Sequence, residues 1–214
     1  MKRLWLFDLD GTLADTDRDI REAWKATLAD LGLDCPSFDR DFVAGPPIEE
    51  MAKTLLPGVY TDAFGAELRR HFGERYDTGG FPSTREYDGV MDAVRRVKAA
   101  GGRVFILTNK RHAGALAIAA KFGWEKVFEK IYAGDMYAHD PKVGKLHKNA
   151  LLALVMRELS AKPCECVMVG DTANDFNAAK ENGVDSLGVA WGYGKPGELA
   201  LAGRIVRTPA EITP

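Results

Sequence analysis

The sequence predicts an α/β fold, a doubly wound parallel sheet with an all-helical insert behind its first strand. Three observations lead there. Short, largely apolar runs recur at Leu4–Phe7, Arg103–Thr108, Cys166–Gly170 and Ser186–Ala190, as strands buried on both faces do. From about residue 85 onward such runs alternate with helical patterns, which puts helices on both faces of a parallel sheet. Between residues 14 and 83 the alternation stops, and only helical patterns are found.

The elements follow in order. Leu4–Phe7 forms the first strand and runs straight into Asp8. Residues 15–31 place Ile20, Ala23, Trp24, Leu28 and Leu31 on one helical face and stop at Gly32. Trp24 and its neighbours read as the core of the insert. Residues 46–56 and 61–76 are two further helices. The run Thr78–Thr84 (TGGFPST) is a hinge back into the sheet. Asp88–Ala100 spaces Val90, Ala93, Val94 and Val97 as a helix and ends at Gly101-Gly102. Helices are also expected at His112–Phe122, Asn149–Leu159 and Asn174–Asn182, and weaker strands at Lys130–Ala133 and Arg204–Val206.

Composition narrows the function. The 214 residues suffice for one α/β domain with a smaller insert. A net charge of -2 gives no basic excess for nucleic acid. Three cysteines are too few and too odd in number for a disulfide framework, and Cys164 and Cys166 stand too close for a zinc knuckle. Lys2-Arg3 is followed by only four apolar residues, so no secretory signal is expected. No apolar run approaches the roughly 18 residues of a membrane span. A reducing cytoplasm is the default, and nothing calls for an obligate dimer.

The chemistry lies at the strand ends, because open α/β sheets bind ligands beyond their carboxyl edge. The first strand ends in Asp8-Leu9-Asp10-Gly11-Thr12, another in Thr108-Asn109, a third in Gly170-Asp171-Thr172-Ala173-Asn174-Asp175. Four carboxylates are thus expected at one mouth. They cannot all ionise without compensation. A hard divalent cation resolves this, and an oxygen donor set without a His/Cys cluster suits Mg²⁺. Asp171 can touch the metal, with Asp175 supporting it from the first turn of the following helix. Asp8 can attack phosphorus as a nucleophile, and Asp10 can serve as general acid and base. Thr108, Asn109 and the amides beside Gly11 can hold phosphoryl oxygens. A lysine is needed between Asp8 and the phosphate; Lys142, Lys145 and Lys148 are candidates.

The stretches DLDGTLADT, LTN, a helix-opening lysine and GDTANDF resemble the four motifs of haloacid dehalogenase-superfamily phosphatases. The C-terminal stretches Val189–Leu199 and Gly203–Ile212 resemble the phosphoglycolate phosphatase-like branch. The resemblance implies a Rossmann-like core (1–13 and 84–214), a helical cap at 14–83, Mg²⁺ and an aspartyl-phosphate intermediate. It implies a metal held by Asp8, Asp171 and the Asp10 main-chain oxygen, with Asp175 behind. The lysine then stands at the start of its helix, which favours Lys148 over Lys145 and Lys142. Gly45 and Pro46, in a stiff turn of the cap, and Arg111 are candidate substrate contacts. The implied activity is hydrolysis of a small phosphorylated metabolite. Phosphoglycolate comes first; pyrophosphate and nucleoside monophosphates are alternatives. Sugar-phosphate mutases of this superfamily carry a histidine where this chain has Ile20, and its dehalogenases need no aspartate at position 10. A non-catalytic relative would be expected to lose the nucleophile.

Overall fold

The computed structural model describes residues 3–214; Lys2, used in the signal-peptide reading, lies outside them. Strand β1 (Leu4–Phe7) is followed by the short β2 (Ala14–Asp15), and β3 (Arg85–Glu86) pairs with β2 antiparallel. Helices α1 (Asp17–Asp30), α2 (Phe38–Asp41), α3 (Ile48–Leu55) and α4 (Asp62–Tyr76) lie between those two strands. Beyond them come α5 (Val90–Ala99), β4 (Arg103–Thr108), α6 (His112–Phe122) and β5 (Ile131–Ala133). The chain continues through α7 (Lys148–Glu158), β6 (Cys166–Gly170) and α8 (Ala173–Glu181), then β7 (Asp185–Val189), α9 (Pro196–Leu199) and β8 (Arg204–Val206).

Six strands form one parallel sheet in the order β5-β4-β1-β6-β7-β8. Successive side chains of a strand point to opposite faces, and the two cores divide accordingly. Trp5 and Phe7 of β1 join Val104 and Ile106 of β4 and the buried faces of α5 and α6. Leu4 and Leu6 join Phe105, Leu107 and Met168 with Leu151, Leu152 and Val155 of α7 and Ala178 and Ala179 of α8. The fold is therefore the doubly wound α/β sheet the sequence predicts. Phe7 stands level with Ile106 on one side and Val169 on the other. The ends of β1, β4 and β6 consequently open onto the same mouth.

The segment between β2 and β3 has its own apolar centre. Trp24 is buried between the rings of Phe42 and Phe72, at centroid distances of 6.4 and 5.6 Å. Such aromatic contacts add to plain area burial. The expectation of a strand-free stretch from residue 14 is corrected by β2, where Ala14 pairs with Glu86 and Asp15 with Arg85. Two residues are too few to show a period of two. The four-residue α2 was likewise invisible to a 3.6-residue period.

The neck of this segment is fastened by a buried carboxylate. Asp19, in the first turn of α1, accepts from the Ser83 amide (3.1 Å), the Thr84 amide (2.7 Å) and the Thr84 hydroxyl (2.6 Å). Asp19 and Thr84 are both buried, so losing the acceptor strands donors away from water. Asp19→Ala is expected to lower unfolding stability by about 2–3 kcal/mol in urea titration. A loss below about 0.5 kcal/mol, the ordinary surface-substitution range, would contradict this.

Candidate active site

The mouth is built from three turns. After β1 the chain reverses at Gly11, whose φ of +75° favours glycine. A Cβ there would come within 2.1 Å of an Asp171 carboxylate oxygen. The turn thus needs glycine twice, for its backbone and for its approach to Asp171. The Thr12 hydroxyl donates to Asp171 Oδ1 at 3.3 Å, joining the ends of β1 and β6.

Asp8, Asp171 and Asp175 are buried, and one oxygen from each lies within 4.8 Å of the others. Lys148, also buried, stands at the first position of α7. Its Nζ reaches Asp8 Oδ2 at 2.9 Å and Asp175 Oδ1 at 2.6 Å. Burial drives the Asp8 carboxyl up to about 7; Lys148 opposes the rise, and Asp175 and Asp10 add to it. Burial, then the charges of Asp175 and Asp8, push Asp171 up to about 8. Burial works against the Lys148 charge, but Asp175 and Asp8 outweigh it and hold the ammonium well above its usual range. The other two lysines stand elsewhere. Lys145 pairs with Glu49 of α3 at 2.7 Å, and Lys142 is exposed.

Asp175 has both oxygens engaged. Oδ1 meets Lys148, while Oδ2 accepts from the amides of Asp171 (3.2 Å) and Thr172 (3.0 Å) and from the Thr172 hydroxyl (3.0 Å). It fixes the start of α8 and the lysine together. Asp8 Oδ1 accepts from the Leu9 amide at 2.8 Å, and Asp171 Oδ2 from the Tyr193 amide at 2.7 Å. Carboxylate oxygens so placed keep lone pairs to spare. An all-oxygen, buried, like-charged donor set of Asp8, Asp171 and Asp175 could hold a hard divalent cation.

The Asp10 side chain lies at the same mouth, lining the cavity, but outside this group of three. Its Oδ1 accepts from Lys110 Nζ at 2.7 Å and from the Thr16 hydroxyl at 2.6 Å. The Lys110 side chain is only 5% exposed, so the pair is shielded from water. Lys110 was missed in the sequence, although it directly follows Thr108-Asn109. A second buried carboxylate needs its own cation, and that requirement is the signal that points to it. Thr108 is buried, and its hydroxyl accepts from the Lys110 amide at 3.1 Å.

Tyr193 was also missed, though its glycine-flanked loop stood out. Its phenol oxygen accepts from the amides of Thr16 (2.6 Å) and Asp17 (2.9 Å) and donates to Asp15 Oδ1 (2.8 Å). The same residue's amide holds Asp171. At neighbouring Gly192 a Cβ would lie 2.3 Å from the Gly11 carbonyl oxygen, so the loop needs a residue without one.

Between the helical segment and the strand ends lies a cavity of about 640 Å³. Asp10, Asn109 and Lys110 line it from the sheet; Gly45, Pro46 and Tyr76 line it from the helical segment. Arg111 lines it as well, tied to Asp77 at 3.2 Å and to the Arg69 carbonyl at 3.0 Å. Among the described residues no helix is long and apolar enough to cross a membrane.

Comparison with known proteins places this arrangement. The family model for haloacid dehalogenase-like hydrolases matches residues 5–189. A 5'-nucleotidase of Pseudomonas aeruginosa is 29% identical over 195 residues, covering 91% of this chain and 85% of its own. A phosphoglycolate phosphatase of Colwellia psychrerythraea is 31% identical over 202 residues, covering 90% and 86%. The crystal structure of CbbY from Rhodobacter sphaeroides, in complex with phosphate, superimposes with a TM-score of 0.81 at 27% identity, covering 99% of this chain and 96% of that one. A family match running from β1 through β7 makes the chain a member of the haloacid dehalogenase-like hydrolases.

Proposed function

We propose that the protein is a Mg²⁺-dependent phosphatase that cleaves a small phosphorylated metabolite through an aspartyl-phosphate at Asp8, with residues 14–83 acting as its cap. The observation that carries this is Asp8 at the end of β1, held between buried Lys148 and buried Asp171. The names of relatives support the substrate class: a phosphoglycolate phosphatase, a 5'-nucleotidase, and a structure holding phosphate.

Asp8 attacks phosphorus in line, forming an acyl-phosphate bond as the ester P–O bond breaks. Asp10 hands its proton to the departing alkoxide. Asp10 then takes a proton from water, whose oxygen attacks phosphorus and releases the Asp8 carboxylate and inorganic phosphate. Lys148 neutralises Asp8 and the incoming phosphoryl oxygens, while Thr108, Asn109 and the turn at Gly11 orient them. Lys110 and the Thr16 hydroxyl keep the Asp10 carboxyl on the side of the cavity. A divalent ion held by Asp8, Asp171 and the Asp10 main-chain oxygen would supply charge neutralisation between nucleophile and phosphate. Ile20 lines the cavity where a mutase would carry its histidine, so the site has no such proton donor for phosphoryl return.

With p-nitrophenyl phosphate as substrate, Asp8→Asn is expected to lose at least about a thousandfold in turnover, the scale seen when a nucleophile is removed. Wild-type turnover in that variant would refute the assignment. Lys148→Ala is expected to cost far more than Lys145→Ala or Lys142→Ala, and equal losses in the three would overturn the choice of lysine. Metal linkage gives a further prediction. With folded-state values raised above the usual 3.8, Asp8 and Asp171 hold protons that the unfolded chain has released. The metal-free fold therefore loses their contribution as pH rises from about 4 toward 7–8. Mg²⁺ is expected to raise Tm more at pH 7.5 than at pH 5.5 in melts with and without chelator. Equal shifts at both values would contradict it.

A further inference from the structure

We infer that Tyr193 is a positioning residue for the reaction: its phenol closes the start of α1, so that the Thr16 hydroxyl is free to hold the Asp10 carboxyl. The inference rests on the phosphatase reading, in which Asp10 passes a proton to the departing alkoxide. Its first support is an exchange of roles at the helix start. Thr16 stands at the N-terminal cap of α1, where a threonine oxygen ordinarily accepts from an amide of the first turn. Here it makes no such bond. The hydroxyl donates instead to Asp10 Oδ1, at 2.6 Å. A helix start leaves four amides without partners in the helix. Two of them, those of Thr16 and Asp17, donate to Tyr193 Oη at 2.6 and 2.9 Å. The same phenol donates to Asp15 Oδ1 at 2.8 Å and stands 3.4 Å from Thr16 Oγ1.

The second support is that Tyr193 is itself fixed through its backbone. Its amide donates to Asp171 Oδ2 at 2.7 Å, and the neighbouring Trp191 indole donates to the Thr12 carbonyl at 3.2 Å. The glycines on either side have no room for a side chain. A Cβ at Gly192 would collide with the Gly11 carbonyl oxygen, and one at Gly194 with the Asp171 carbonyl oxygen. The loop is therefore held against the turns that follow β1 and β6. From that fixed point the phenol reaches the residue that holds Asp10. Thr16 is fully buried, so removal of the phenol leaves its amide away from water without this acceptor. Thr16 is then less firmly placed, and the Asp10 carboxyl with it. A misplacement of about 1 Å can cost as much as a hundredfold in rate.

The test compares phenyl phosphate with p-nitrophenyl phosphate, using the intact protein at saturating Mg²⁺. The two esters differ by one substituent, but phenolate is the stronger base and depends more on the proton that Asp10 supplies. The quantity read is kcat/KM, which covers the steps up to departure of the leaving group. Tyr193→Phe keeps the ring and the amide. It is expected to lower kcat/KM for phenyl phosphate about tenfold more than for p-nitrophenyl phosphate, part of the roughly 10²–10⁴ that positioned proton transfer contributes. Thr16→Val cuts the next link and keeps the amide on Tyr193; the same divergence is expected, and it carries the test should Tyr193→Phe not fold. The double variant is expected to diverge no further than either single one, because both act along one path. Equal losses on the two esters in either single variant, or no loss on either ester, would overturn the inference while leaving the phosphatase reading intact. So would divergences that multiply in the double variant. No Mg²⁺-dependent release from either ester by the unsubstituted protein would overturn both.

Discussion

The site depends on a lysine placed where a lysine is costly. Lys148 is 4% exposed, and its ammonium sits between Asp8 and Asp175. Desolvating that charge alone would be prohibitive, and desolvating either carboxylate alone nearly as much. In the cluster the ammonium offsets one of the two negative charges, and burial and the remainder show in the raised Asp8 value. Asp175 then spends its second oxygen on the start of α8, so helix position and lysine position are fixed by one side chain. Asp8 and Asp10, two residues apart, come to lie in different settings. One faces Lys148 and Asp171; the other faces Lys110 and Thr16. Separating two carboxylates by their neighbours gives one short turn two groups of different character.

The two ends of the cavity follow different electrostatic rules. Toward the sheet, the carboxylates of Asp8, Asp171 and Asp175 are crowded beside the single Lys148 ammonium. Toward the helical segment, Arg69 and Lys145 share Glu49 and Arg111 meets Asp77. Besides Asp19 with Ser83 and Thr84 and the β2–β3 pair, the helical segment is tied to the rest of the chain by Arg111 with Asp77, Lys145 with Glu49 and Tyr193 with Thr16.

The central strands were legible because burial on both faces leaves little room for polar residues, and β1, β4 and β6 coincide with their apolar runs. Helix limits agree within two residues, set by glycine stops after α5 and α8. What escaped was what spacing cannot encode. Lys110 matters only because Asp10 turns toward it, and Tyr193 only because a loop 177 residues distant in sequence folds back over Thr16. The approach of Glu49 to Lys145 likewise joins residues 96 apart. Local patterns report which elements form; these pairings are decided by the packing of elements against each other.

Tyr193 has a mechanical side. A single phenol oxygen clasps the two amides at the start of α1, and the backbone nitrogen of the same residue clasps Asp171. The helical segment is therefore fastened by a rivet shared with the sheet's acidic edge. Any swing that lifts α1 away must first unfasten that rivet or drag the C-terminal loop along, so opening the chamber and loosening the grip on its floor are one motion.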